Sequence, residues 1–210
     1  MQLDLFPLHT VLFPGSRLPL HIFEPRYLNM IGECVKNNSV FGVTLIADGE
    51  EVGEAAVPHG IGTTARIQTI EKPPDGPLDI VVVGEARFQI DAIMAYEPHV
   101  VADVAFLPLP ENNSKAVRIS AAEVRKRFDR LVTVMVEIQS GYMPVVELPS
   151  DMIQLAYLVA AGMPSDHLTA QRLLEAPTLQ SLFEMEQALL DERIEQAMRL
   201  LHDKLTARRN

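Results

Sequence analysis

The sequence predicts an α+β chain, with a β-rich half over residues 1–109 and a helical half over residues 110–210. Three observations predict it. Short β-branched runs broken by glycine and proline recur from Leu3 to Val104. Beyond Val117 the apolar positions switch to steps of three and four, the period of a helix with one buried face. Between the two textures lies Pro108 to Ser114, two prolines followed by polar residues of turn character.

The β-rich half is read from five runs: Val40 to Ile46, Gly62 to Ile70, Leu78 to Val83, Arg87 to Ile93 and His99 to Leu107. Each is short, rich in β-branched residues and bounded by turn formers such as Asp48-Gly49 and the Pro73 to Pro77 stretch. Strands this closely spaced predict a sandwich or a barrel. One helix interrupts them. Pro25 follows Glu24 at a first helical position, where the N–H that proline lacks would be unpaired anyway. Tyr27, Met30, Ile31, Cys34 and Val35 then form one apolar stripe, and Asn37-Asn38 closes the helix.

In the helical half, Val117, Ala121, Val124, Phe128, Leu131, Met135 and Ile138 form a seam that leaves Arg125-Lys126-Arg127 largely off it. Ser150-Asp151 and Ser165-Asp166 supply N-caps for two shorter helices, the first ending at Gly162 and the second before Pro177. The last helix starts near Thr178 and carries a stripe from Leu179 to Leu205. Its end is basic at Lys204, Arg208 and Arg209, as the helix dipole favours.

Composition narrows the function classes. With 210 residues, 48% of them hydrophobic and 22% charged, the chain can bury a substantial core. The net charge of −10 is uneven: six Lys/Arg oppose fourteen Asp/Glu up to Pro110, a balance of −8, and twelve oppose fourteen beyond it, a balance of −2. Such a surface disfavours nucleic acid as a partner. The single cysteine, Cys34, leaves no partner for an internal disulfide and no thiolate set for zinc. No basic-then-apolar leader opens the sequence and no run approaches the ~20 apolar residues of a membrane span, so the expected location is the cytoplasm with no membrane partner.

Two adjacent segments carry a resemblance. Leu5-Phe6-Pro7-Leu8-His9-Thr10-Val11-Leu12-Phe13-Pro14-Gly15 and Leu18-Pro19-Leu20-His21-Ile22-Phe23-Glu24-Pro25-Arg26-Tyr27 resemble the opening of the N-terminal, substrate-binding domain family of Lon protease, also called ATP-dependent protease La. Phe41-Gly42-Val43, Glu51-Val52-Gly53, Ile61 to Ile67, Val83 to Phe88 and Arg172-Leu173-Leu174-Glu175 match that family in order, so the likeness covers nearly the whole chain. The resemblance implies a PUA-like β-barrel or pseudobarrel followed by an α-helical bundle, and a role in recognising polypeptide. It is a resemblance to the stand-alone form, because the ATPase and protease signatures are missing. There is no G-x-x-x-x-G-K-[ST] loop to cradle phosphates. Pro74-Asp75-Gly76-Pro77 is superficially similar to the family's proteolytic run, but Leu78 stands where the nucleophile is required and has no hydroxyl to activate. The expectation is a protein that is not an enzyme and needs no cofactor.

The remaining candidates divide into binding and structural groups. Phe13, Leu18, Leu20, Ile22, Phe23 and Tyr27 concentrate aromatic and aliphatic mass within fifteen positions. They are the candidate groove for apolar peptide segments of an unfolded or partner protein, closed by Tyr142 and Met143 from the helical half. The same residues also fit a plain core. His21 and Glu24 lie three apart, too few ligands for a metal, and no metal is expected. Arg66 and Arg87 are expected in ion pairs with the acidic half, and the Arg125 to Arg127 run on a solvated helix face. Two alternatives stay open: RNA binding by the PUA-like half, and a small molecule held in a cleft between the halves. The oligomeric state is left open.

Overall fold

The computed structural model describes residues 1–53, 56–71, 77–139, 147–163 and 166–207. Its strands are β1 (Gln2–Leu8), β2 (Arg17–Ile22), β3 (Phe41–Asp48), β4 (Val57–Glu71), β5 (Leu78–Ala95) and β6 (Val100–Phe106). Its helices are α1 (Pro25–Asn37), α2 (Lys115–Gln139), α3 (Met152–Gly162), α4 (His167–Leu174) and α5 (Leu179–Ala207). The α+β class expected from the sequence holds. The chain divides into two compact units, Met1–Pro108 with Pro164–Glu175, and Leu109–Met163 with Ala176–Asn210.

In the first unit the six strands form one sheet in the order β2-β5-β4-β3-β1-β6, and a further pairing between β5 and β6 closes β5, β4, β3, β1 and β6 into a ring of five strands with β2 outside it. The long β5 makes this possible, because its first half pairs with β2 and its second half with β6. The sequence predicts two strands here, 78–83 and 87–93; the structure has one continuous strand. Gly84-Glu85 is not a break. Gly84 lets another backbone come close, since a Cβ there would lie 2.4 Å from the Phe13 carbonyl oxygen. Opposite it, Gly15 at φ 80 and Ser16 form a glycine-type bulge: the Gly15 N–H donates to Gly84 O (2.8 Å) and the Gly84 N–H to Ser16 O (3.0 Å). Neither β1 nor β2 stands out in the sequence, because Pro7 and Pro19 interrupt them.

Helix α1 forms as predicted. Pro25 sits in its first turn, and Asn38 ends it in the left-handed conformation at φ 49. Its buried face is Tyr27, Met30, Ile31 and Cys34, packed with Phe6, Leu8, Phe41, Val43 and Val82 into one core cluster. Burial of side chains this size is worth on the order of 1.5–3 kcal/mol each. A second cluster of Leu3, Leu5, Phe88, Val100, Ala102 and Val104 fills the part of the ring where β1 meets β6.

Helix α4 belongs to this unit too. Asp166 caps its N-terminus by accepting from the Thr169 N–H (2.7 Å). Its C-terminus is held by Arg87, 3% exposed, whose guanidinium donates to Leu174 O (2.5 Å) and to Leu107 O (3.2 Å). Gln171 adds a bond from its amide nitrogen to Ile61 O (2.9 Å). Arg87 therefore joins the end of α4 to the segment after β6, a role the sequence reading missed, and Arg66 makes the expected ion pair with Glu85.

In the second unit α2 and α5 run side by side. Ser120 accepts from Gln180, Arg127 pairs with Asp191, Arg130 reaches Met198 and Lys204 reaches Ile138 O, so the partners advance together and the two helices are parallel. Helix α3, capped by Asp151 onto the Gln154 N–H (2.8 Å), contributes buried Leu155, Ala156, Val159 and Ala160. The basic run is less solvated than expected. Arg127 binds Glu123 and Asp191, and Arg125 donates to the Pro149 carbonyl. No helix among the described residues is long and apolar enough to cross a membrane.

Candidate functional site

Among the described residues β2 pairs with β5 alone, which leaves its other edge without a strand partner there. From the bulge onward the register is one for one, which turns the backbone groups of Leu18, Leu20 and Ile22 toward β5 and those of Arg17, Pro19 and His21 outward. Pro19 thus sits where its missing N–H costs no ladder bond. At the end of β2 the chain turns through Phe23 and Glu24 into α1. The segment after β3 comes alongside, so that Glu51 and Val52 complete a shallow open depression with His21, Ile22, Phe23, Glu24, Phe6 and Tyr27.

The structure divides the apolar candidates sharply. Phe13 (2% exposed), Ile22 (1%) and Tyr27 (3%) are buried, the last two in the cluster around α1, against which Leu18 and Leu20 are half-buried. Where they stand, these side chains join strand to helix. Phe23 is the exception, 52% exposed at the mouth of the depression. Tyr142 and Met143 lie outside the described residues. Val52, 55% exposed, is a neighbour that the apolar pattern did not pick out; its only signal was the Glu51-Val52-Gly53 match.

The floor is aromatic and rigid. Phe6 and Tyr27 stack with ring centroids 4.0 Å apart, and the Arg26 guanidinium lies 4.6 Å from the Tyr27 ring centre, a cation–π contact. Arg26 is also bound to Glu24 (3.0 Å), and the same carboxylate oxygen, Oε2, accepts the Gly53 N–H (3.3 Å). Glu24 therefore fastens the start of α1 to the segment carrying Val52. Burial pushes the Tyr27 hydroxyl above its ordinary pKa; Arg26 pulls it down, and Glu24 and Glu51 push it up again.

The rim is acidic. Glu51 accepts the His9 N–H (3.0 Å) with one oxygen, and Glu50 beside it is 87% exposed. His21 and Asp79 are 2.7 Å apart on the outer side of β2 and β5, both exposed, a pair worth less than about 1 kcal/mol in water. Among the described residues no three His, Cys, Asp or Glu side chains converge as metal ligands. Leu78 opens β5 opposite Ile22 and packs into the core cluster. Apolar side chains at an open mouth, over an aromatic floor, offer contact surface.

Comparison with known proteins gives a consistent result. Residues 2–192 match the model of the ATP-dependent protease La (LON) substrate-binding domain. The chain is 26% identical over 172 residues to a Lon protease of Amoebophilus asiaticus, an alignment covering 80% of this chain and 21% of that protein. It is 28% identical over 192 residues to Lon protease 2 of Herpetosiphon aurantiacus, covering 90% and 23%. The chain thus spans about a fifth of the length of these curated relatives. Among solved structures, a Lon N-terminal domain protein from Xanthomonas campestris aligns with a TM-score of 0.65 at 24% identity, covering 88% of this chain and 95% of that one. The N-terminal domain of a Mycobacterium avium complex Lon protease aligns with a TM-score of 0.68 at 16% identity, covering 91% and 98%. At these identities the two structures speak to the fold.

Proposed function

We propose a function from one premise: the chain belongs to the family of the ATP-dependent protease La (Lon) substrate-binding domain. On that premise it is a substrate-recognition module, and its finer role is to take up apolar segments of unfolded or partner polypeptide without cleaving them. The β-rich half, residues 1–109, carries the recognition surface. The observation that supports this most is Phe23, half exposed beside Val52 over the stacked Phe6 and Tyr27 rings. An apolar side chain left half in water forgoes part of its burial free energy, which a partner covering it would recover, and an aromatic anchor at the mouth of a depression suits an entering apolar side chain.

The reading also fits the chemistry present. Leu78 is committed to strand pairing and core packing. The Tyr27 hydroxyl, its pKa raised, is a poor proton donor near neutrality. Contacts of this kind, made by a partner that must order itself, have affinities on the order of micromolar.

The test is a titration of the protein with a fluorescent apolar peptide and with a permanently unfolded protein. Phe23→Ala and Val52→Ser should weaken binding about fivefold or more, roughly 1 kcal/mol, with the melting temperature unchanged because both side chains are exposed. Tyr27→Ala should instead destabilise the fold by about 3 kcal/mol. Saturable binding that ignores Phe23 and Val52, or no binding at all, would remove the proposal.

A further inference from the structure

We infer that the segment docking at Phe23 and Val52 carries lysine or arginine on the flanks of its apolar side chain. The inference rests on reading the depression as a peptide-docking surface and adds the class of peptide it selects.

Apolar contact alone would accept any greasy segment, and acidic residues alone would be an ordinary solvated surface. Here the two coincide. Glu24 and Glu51 line the depression, Glu50 adjoins Glu51, and Asp79 holds the lining residue His21. The cation in their midst, Arg26, is already engaged, bound to Glu24 and laid over the Tyr27 ring. Among the described residues named here, and with histidine counted as neutral, four carboxylates oppose one guanidinium, a formal balance of −3.

These carboxylates differ in what they can still do. Glu24 is committed to Arg26 and Gly53, and Asp79 to His21. Among the described residues Glu50, 87% exposed, has only a long 3.9 Å contact to the His9 ring, and Glu51 has one oxygen engaged by the His9 backbone N–H. Glu50 and Glu51 are therefore the groups positioned to meet an ammonium or guanidinium beside the apolar mouth. Low-dielectric walls of Phe6, Ile22 and Tyr27 concentrate the field there. A basic flank is attracted, and an acidic one meets like charge. Exposed pairs are individually weak, so two of them give roughly three- to tenfold selectivity, diminished by salt.

The experiment uses the full chain and three peptides with the same Leu-Phe-Val centre, flanked by lysine, glutamine or glutamate, followed by fluorescence anisotropy at low and high salt. The lysine-flanked peptide should bind roughly three- to tenfold more tightly than the glutamine one at low salt, with the gap closing as salt rises. Glu50→Lys should erase or invert the order. Glu51→Gln, which keeps an acceptor for the His9 N–H, should narrow it. Phe23→Ala should weaken all three. Equal affinities that still depend on Phe23 would overturn the charge selectivity and leave peptide docking standing. A lysine preference unaffected by Phe23→Ala would mean polycation binding away from the depression and would overturn the inference. No binding of any peptide would overturn both.

Discussion

On α5, Glu186 stands three residues after Phe183 and four before Leu190, in the stripe that faces the bundle core, where the helical period calls for a hydrocarbon. It is 0% exposed, and neither carboxylate oxygen has a hydrogen-bond partner among the described residues. Burial drives its pKa well above the ordinary glutamate value, so the folded chain keeps the proton there. Unfolding returns the side chain to water, where it releases that proton once the pH exceeds the ordinary glutamate range. Stability from this residue is therefore full in acid and falls as pH rises, by about 1.4 kcal/mol per unit, until pH passes the folded value. Glu186→Gln has nearly the same shape and no proton to lose. Measured by urea melts at pH values rising from the ordinary glutamate range, the variant should gain on the parent chain. A constant offset across that range would show that Glu186 does not titrate in this way. The sequence hid this residue because an apolar stripe read by its leucines passes over the one position that breaks it.

Single elements were legible to different degrees. Helix α1 could be read almost to the residue, since Pro25, the Tyr27 to Cys34 stripe and Asn38 are local signals that tertiary packing reinforces. The Asp151 and Asp166 caps were equally readable. Strand β5 was not, because a glycine marks a turn and a close backbone approach alike, and only the Phe13 carbonyl above Gly84 decides between them. Helix α4 was visible as a helix, but not its docking onto the strands. Residues 87 and 174 are far apart in sequence, and nothing local says that an arginine in a strand will bind a helix's last carbonyls. That clamp can be tested. Arg87→Lys keeps the charge but loses the planar fork that reaches both Leu107 and Leu174, and should cost about 1.5–3 kcal/mol in a denaturant melt. Amide exchange should accelerate chiefly at the end of α4, around Leu173 to Glu175. An equally stable variant with unchanged exchange there would show that Arg87 does not hold the helix.

At the scale of the whole molecule, the apolar density before residue 28 pointed to the corner where Phe23 stands exposed, and could not go further. Period and composition show which residues are apolar, not which of them the core takes. The core took Phe13, Ile22 and Tyr27 and left Phe23 at the surface, because a residue at the corner between a strand and a helix belongs to the buried face of neither. Val52 was harder still, since it lies outside every strand and helix and reaches the depression through long-range contacts of its neighbours, Gly53 to Glu24 and Glu51 to His9. The central claim is that polypeptide is held at this corner by contact. An amide chemical-shift map of the labelled chain, titrated with an unlabelled apolar peptide, tests it most directly. The account predicts saturable shifts concentrated at His21 to Glu24 and Glu51 to Gly53. Shifts centred elsewhere, or none at saturating peptide, would contradict it.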